Sequence, residues 1–127
     1  MRATTIGTQL YSLLKDVAPL YLAEAETDSY PYAVYELTPE PLYTKDGPVG
    51  YRSDVPFRIY TKDFDTANAI AAAVVTALEA GMQGAQYYAH LVRTYNECAS
   101  GIWTITLELI VTEYFVEESE TTVEDNN

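Results

Sequence analysis

Basic residues are scarce in this chain: seven Lys and Arg stand against nineteen Asp and Glu, for a formal net charge of −12 over 127 residues. Gripping nucleic acid through its phosphates takes clustered Lys and Arg, so the composition argues against a nucleic-acid-binding protein. Cysteine occurs once, at Cys98, which rules out an intramolecular disulfide and suits a reducing compartment. Histidine also occurs once, at His90. On an extended strand, His90 and Cys98 would lie more than ~20 Å apart, too far for a catalytic dyad. There is no C-x-x-C, no H-x-x-x-H and no Gly-rich phosphate loop. No apolar run approaches the ~20 residues needed to span a bilayer. No N-terminal stretch combines a basic flank, an apolar core and a small-residue cleavage site. The expectation is a soluble chain, intracellular when made, with no membrane partner.

Catalysis needs an activated group with a base or metal beside it, and the sequence offers neither. The acids Asp63 and Asp65 flank Phe64 where a helix begins, a place that favours carboxylates for capping and for the helix dipole. Glu117, Glu118 and Glu120 lack the spacing of a calcium loop. The chain therefore reads as non-enzymatic, with no catalytic residue, cofactor or metal.

What the chain has in excess is tyrosine, twelve against three Phe and one Trp. Tyrosine combines contact area with a polar tip and is favoured at interfaces. It also has a concentration of acid at one end: Glu117, Glu118, Glu120, Glu124 and Asp125 fall in the last eleven residues. Without them the first 116 residues still carry about −7, so the body is acidic too.

The stretch Asp65 to Gly81 predicts the main helix, with Asp65 as cap and Gly81 as a left-handed stop. Ala67, Ile70, Val74, Ala77 and Leu78 share one face at 100° per residue. Burying Ile70, Val74 and Leu78 contributes roughly 5–9 kcal/mol before entropy. The opposite face, Asn68, Ala69, Ala72, Val75, Thr76 and Glu79, has one charge, which points to a cover on that side as well.

A first helix is expected from Thr4 or Thr5 to about Asp16, with Ile6, Leu10, Leu13, Leu14 and Val17 on its apolar face and Pro19 blocking its extension. Leu20–Ala25 reads as a short edge strand and Ala33–Thr38 as a second. Pro39–Gly50 reads as a long loop or irregular hairpin arm. Tyr51–Thr61 is a strand with Val55, Phe57 and Ile59 inward. Its Pro56 predicts an edge position or a bulge. Gln86–Cys98 and Ile102–Val116 form a hairpin around Ala99-Ser100-Gly101, with Trp103, Ile105, Leu107, Leu109 and Val111 alternating inward.

The fold class is α+β: an antiparallel or mixed sheet of four to five strands with two helices packed on one face. Residues 1–116 form a single domain and residues 117–127 an acidic, flexible tail. The candidate subunit-interface residues are Tyr43, Lys45, Arg52, Arg58 and Lys62, as a basic strand patch with its arm. The helix residues Ala72, Val75 and Thr76 are further candidates.

This order of features resembles the tail-completion, or tail terminator, proteins of long-tailed bacteriophages and prophages. The resemblance lies in L-Y-S-L-L in the first helix (Leu10-Tyr11) and in Y-P-Y-A-V-Y-E at a strand entry (Pro31-Tyr32). It continues through a Pro/Gly-rich arm, and V-P-F-R-I-Y-T-K-D running into F-D-T-A-N-A-I-A-A-A-V-V-T-A-L (Ile59 to Leu78). It spans about residues 5 to 116. It implies a small α+β subunit of a homohexameric ring on the head-proximal end of a tail tube. Such a ring stops tube polymerisation and offers the joining surface for the head. The implied partners are the chain itself, the tail tube protein and the head–tail connector or neck proteins. DNA is a non-specific cargo of the lumen, and no cofactor or active site is implied. The implied location is the virion, with assembly in the host cytoplasm. Two other readings stand beside it: another neck component, such as a head-completion or connector protein, and an acidic DNA mimic that binds a basic partner.

Overall fold

The computed structural model describes residues 2–116; the expected acidic tail, residues 117–127, lies outside the described residues. The elements in order are α1 (Ile6–Leu14), β1 (Leu20–Leu22), β2 (Tyr32–Tyr35), β3 (Thr38–Thr44), β4 (Gly47–Thr61), α2 (Phe64–Gly81), β5 (Tyr87–Ala99) and β6 (Ile102–Tyr114). The strands make one mixed six-stranded sheet in the order β1-β2-β4-β6-β5, with β3 beside β4. β1 runs parallel to β2 and every other pair is antiparallel. Both helices pack on one face, as the patterning requires.

The expected strand count is low by one because Pro39–Gly50, expected as a loop or an irregular hairpin arm, takes the second form, with a register irregularity between Leu42 and Tyr43. Its residues build β3 and the start of β4, joined by a tight turn at Lys45-Asp46, with Gly47 at φ 119°. Prolines and glycines are tolerated in this arm because β3 lies at a sheet margin, where a missing donor leaves no ladder partner stranded.

Pro56 lies on neither an edge nor a bulge. It sits mid-strand in β4, opposite Glu108 of β6. On its other side β4 changes partner from β3, which pairs up to Asp54, to β2, which begins at Phe57. The Pro56 carbonyl accepts from the Glu36 N–H at 3.3 Å across that break. A strand residue's N–H and C=O point the same way, so the N–H that proline lacks would have faced the gap between β2 and β3.

The core lies between the sheet's inner face and the helices. α1 contributes Ile6, Leu10 and Leu14, and α2 contributes Ala67, Ile70, Ala71, Val74 and Leu78. They meet Val55, Phe57, Ile59, Ile105, Leu107, Leu109 and Val111, all buried. The β5–β6 turn is the two-residue Ser100-Gly101, both at positive φ (54° and 80°), the conformation whose twist suits a hairpin.

Two details of α2 differ from expectation. Asp63, not Asp65, is the cap: its carboxylate accepts from the Thr66 N–H and from the Thr66 hydroxyl, both at 2.8 Å. Asp65 lies in the first turn, where the helix dipole favours it. Gly81 is not left-handed but is the last helical residue, with Met82 as C-cap. Its use is space, since a Cβ there would come 2.5 Å from Cδ2 of Leu13 on the segment closing α1.

The backbone N–H of Thr66, then its hydroxyl, holds the Asp63 carboxyl below its usual value. A carboxylate shifted down on folding stabilises fully above its unfolded pKa, and that contribution is lost as pH falls through the folded one. Asp63→Ala is therefore expected to lower the melting midpoint at pH 7 by a few degrees. The gap to the parent should narrow once pH drops below ~4. Circular dichroism melts at a series of pH values check this; a gap that stays constant into acid refutes it.

Candidate assembly surfaces

Four surfaces carry the residues singled out by sequence, or stand out in the structure. The first is the sheet's outer face, opposite the helices. Register places Tyr32 directly across from Tyr60, and their rings stack at 4.9 Å. Tyr30 stacks on Tyr32 at 5.4 Å, and Tyr21 meets Tyr32 edge-on at 6.3 Å. The Lys62 ammonium sits 5.7 Å from the Tyr30 ring centroid. Burial first, then the phenols of Tyr30 and Tyr60 and the Asp28 carboxylate, push the Tyr32 hydroxyl above its ordinary pKa. It remains a neutral donor across the physiological range.

Arg52 and Arg58 lie on this same face, but it is not the basic patch expected from the strand sequence. Arg58 pairs with Glu36 at 3.3 Å, and Arg52 shares a groove with Glu40 and Asp54. Glu40 lies directly opposite Arg52 on β3 and Glu36 follows β2, so a linear reading of β4 does not show these acids. The face is charge-mixed and tyrosine-rich.

The second surface is the tip of the β3–β4 hairpin. Tyr43 there is 65% exposed, and Lys45 lies in the turn, also exposed. The third is the far side of α2, where Ala72 and Thr76 are exposed and Val75 is half-buried. Val75 lines an open cleft of about 210 Å³ between α2 and β5, with Leu78, Gln83, Tyr88 and Leu91. The structure therefore separates the candidates: Arg52, Arg58 and Lys62 on one side of the sheet, the α2 residues on the other, and Tyr43 and Lys45 on the arm.

The fourth surface is β5, which sequence reasoning passed over as an ordinary strand. From His90 to Ala99 it is exposed on both faces, including Leu91, Val92 and Tyr95. The signal present in the sequence is Leu91-Val92, two adjacent apolar residues that break the alternation; the register slips there, between Leu91 and Arg93.

The remaining polar chemistry is structural. Glu113 is 3% exposed, and its carboxylate accepts from the Thr4 hydroxyl (2.9 Å), the Thr5 N–H (2.9 Å) and the Thr5 hydroxyl (2.6 Å). Thr5 is the N-cap of α1 but makes no capping bond of its own, because its hydroxyl is spent on Glu113. The N-terminal segment continues across the same end of the sheet. The Tyr51 hydroxyl donates to the Arg2 carbonyl at 2.6 Å, and the Arg2 guanidinium lies 4.8 Å from the Phe115 ring centroid. Among the described residues no three of His, Cys, Asp and Glu are grouped to hold a metal ion.

No protein-family model and no curated protein matches the chain. Among solved structures, a chain from the virion of a native gene transfer agent particle has the same fold at TM-score 0.58 and 18% identity. The match covers 87% of this chain and 92% of that one. A second solved structure, which carries no functional description, matches at TM-score 0.57 and 14% identity, over 89% of this chain and 96% of that one. At these identities the likeness shows a shared fold across almost the whole of each chain.

Proposed function

We propose that this protein is a structural virion subunit of a long-tailed phage or phage-derived particle. In this reading it closes into a ring at the head-proximal end of the tail tube, ends tube polymerisation and presents the surface to which the head is joined. The observation that carries the proposal is the near-complete fold match to a chain of a gene transfer agent virion. The order of motifs from Leu10-Tyr11 to the Ile59–Leu78 strand–helix junction supports the same reading. The protein does no chemistry in this role. Its partners are further copies of itself, six to a ring, together with tail tube and neck proteins. An acidic body suits a lumen through which DNA slides without sticking, because like charges repel at close range.

Negative-stain microscopy of the protein mixed with growing tail tubes tests the reading directly. The expected result is a ring on one end of each tube and tubes that stop lengthening. Tubes that grow on unchecked, with the protein left unbound, would overturn it.

Val75→Glu probes the α2 side of the ring contact. A carboxylate beside Tyr88 and Leu91 is expected to reduce capping of tubes severalfold while moving the melting midpoint by only a few degrees, since Val75 is half-buried. A lowered midpoint with unchanged capping removes the α2 face from the interface.

A further inference from the structure

Among the described residues the sheet has three strands with an unpaired side, and two of them are guarded. β1 is three residues long. β3 carries Pro39 and Pro41, which alternate with the residues that bond to β4 and so face outward without a donor. β5 has no such protection. At its start the edge is covered by the chain itself: the Ala89 N–H donates to the Met82 carbonyl at 2.9 Å, and the Gln83 side-chain amide donates to the Ala89 carbonyl at 2.6 Å. Beyond that point β5 runs to Ala99 with no proline and with both faces exposed.

The direction of its free groups follows from the ladder. Ala89 points its N–H and C=O away from β6, and the extra residue at Val92 reverses the alternation. Downstream, Ala99 and Ile102 close the two-residue turn and must bond each other, so Arg93, Tyr95 and Glu97 bond to β6. Thr94, Asn96 and Cys98 are left with outward-facing backbone groups.

We propose that in the free protein this edge is closed by β5 of a second copy, running antiparallel with Tyr95 opposite the partner's Tyr95. The register is set by charge and hydrogen-bond parity together. It places Thr94 opposite the partner's Asn96, so outward groups meet outward groups. It also places Arg93 opposite Glu97 of the partner subunit, twice by symmetry. Arg93 bonds Glu108 at 2.9 Å through Nε alone, which leaves its terminal nitrogens for the partner. A one-residue shift would set outward groups against inward ones, and a shift of two residues, the smallest that keeps the parity, sets Arg93 opposite the partner's Tyr95 or Ala99 and loses both charge pairs. Leu91, Val92 and Tyr95, exposed in the monomer at 40%, 54% and 43%, are the apolar surface such a pair covers. The contact is two-fold and closes on itself, whereas a ring needs a head-to-tail contact, so this inference does not rest on the ring reading.

Cross-linking tests the register. In the proposed pair, Tyr95 and the partner's Tyr95 form a non-hydrogen-bonded pair about 4.5 Å apart at Cα, within disulfide range. In a Cys98→Ser background, Tyr95→Cys is expected to oxidise to a covalent dimer, and Thr94→Cys, offset from its own copy, is not. Sedimentation supplies a second measurement that needs no cysteine. Asn96→Pro deletes an outward N–H without breaking a β6 bond, and is expected to turn a dimer into a monomer that still melts cooperatively, at the midpoint the parent shows when diluted to monomer. Glu97→Arg is expected to weaken the dimer about tenfold. A parent protein that sediments as a monomer at tens of micromolar overturns the proposal. So does a dimer indifferent to Asn96→Pro, or one cross-linked equally well through position 94.

Discussion

Glu113→Ala is expected to destabilise the folded protein by about 3 kcal/mol, although the residue is not one of the apolar core residues. One carboxylate satisfies the first backbone N–H of the α1 entry and two threonine hydroxyls, at 2.6 to 2.9 Å, in a site that is 3% exposed to solvent. Truncation removes an acceptor that water cannot replace in full and leaves Thr5 with an orphan donor at a helix start. The Tyr87 hydroxyl, 2.5 Å from the Thr5 hydroxyl, loses the ordered partner that aligns it. Glu113→Gln keeps one acceptor oxygen and gives up the charge, so about half the loss is expected. Urea unfolding followed through Trp103, the one tryptophan, measures both. A loss below about 1 kcal/mol for the alanine variant would show that solvent takes over the carboxylate's role.

Gly50→Val is the second large effect, at about 3 kcal/mol, and it acts at the same end of the sheet. A Cβ at position 50 would run into the backbone carbonyl oxygen of Glu113 and lie 3.0 Å from its carbonyl carbon. Backbone in a paired strand cannot step aside as a side chain can, so the β4–β6 ladder would have to part near Tyr114. Gly81→Ala provides the contrast. There the obstruction is the end of the Leu13 side chain, which can change rotamer, and alanine is favoured over glycine in a helix by about 1 kcal/mol. Gly81→Ala is expected to fall within about 1 kcal/mol of the parent. Thermal melts of the two variants side by side decide the matter: equal losses would mean that backbone and side-chain obstruction are not distinguished here.

Fold class, helix positions and the inward residues of the long strands were legible because they rest on periodicity. Ile70, Val74 and Leu78 repeat at helical spacing, and Ile105, Leu107, Leu109 and Val111 at strand spacing, and each set is buried as its period demands. The hairpin turn was legible because Ser100-Gly101 supplies the positive φ that a two-residue turn needs. The Pro39–Gly50 arm was legible only as one of two alternatives, a loop or an irregular hairpin arm, and the structure takes the second; proline content signals a loop unless the strand lies at a sheet margin, and margin positions depend on strand order.

The candidate interfaces were legible only in part. Residue types suited to contact can be counted in a sequence, but neighbours on a sheet come from register. Arg58 looked like part of a basic run until β2 brought Glu36 beside it. Tyr32 and Tyr60 are distant in the chain and stack because β2 and β4 pair at that rung. Sequence by itself determined which residues are apolar at which period, and therefore which elements form and which faces they bury. Tertiary structure alone decided that Glu113 is buried under the start of α1, that Pro56 faces a break, and that β5 is left with an open edge. Those outcomes depend on which strands lie side by side, a property of the chain's path through space that no local pattern encodes.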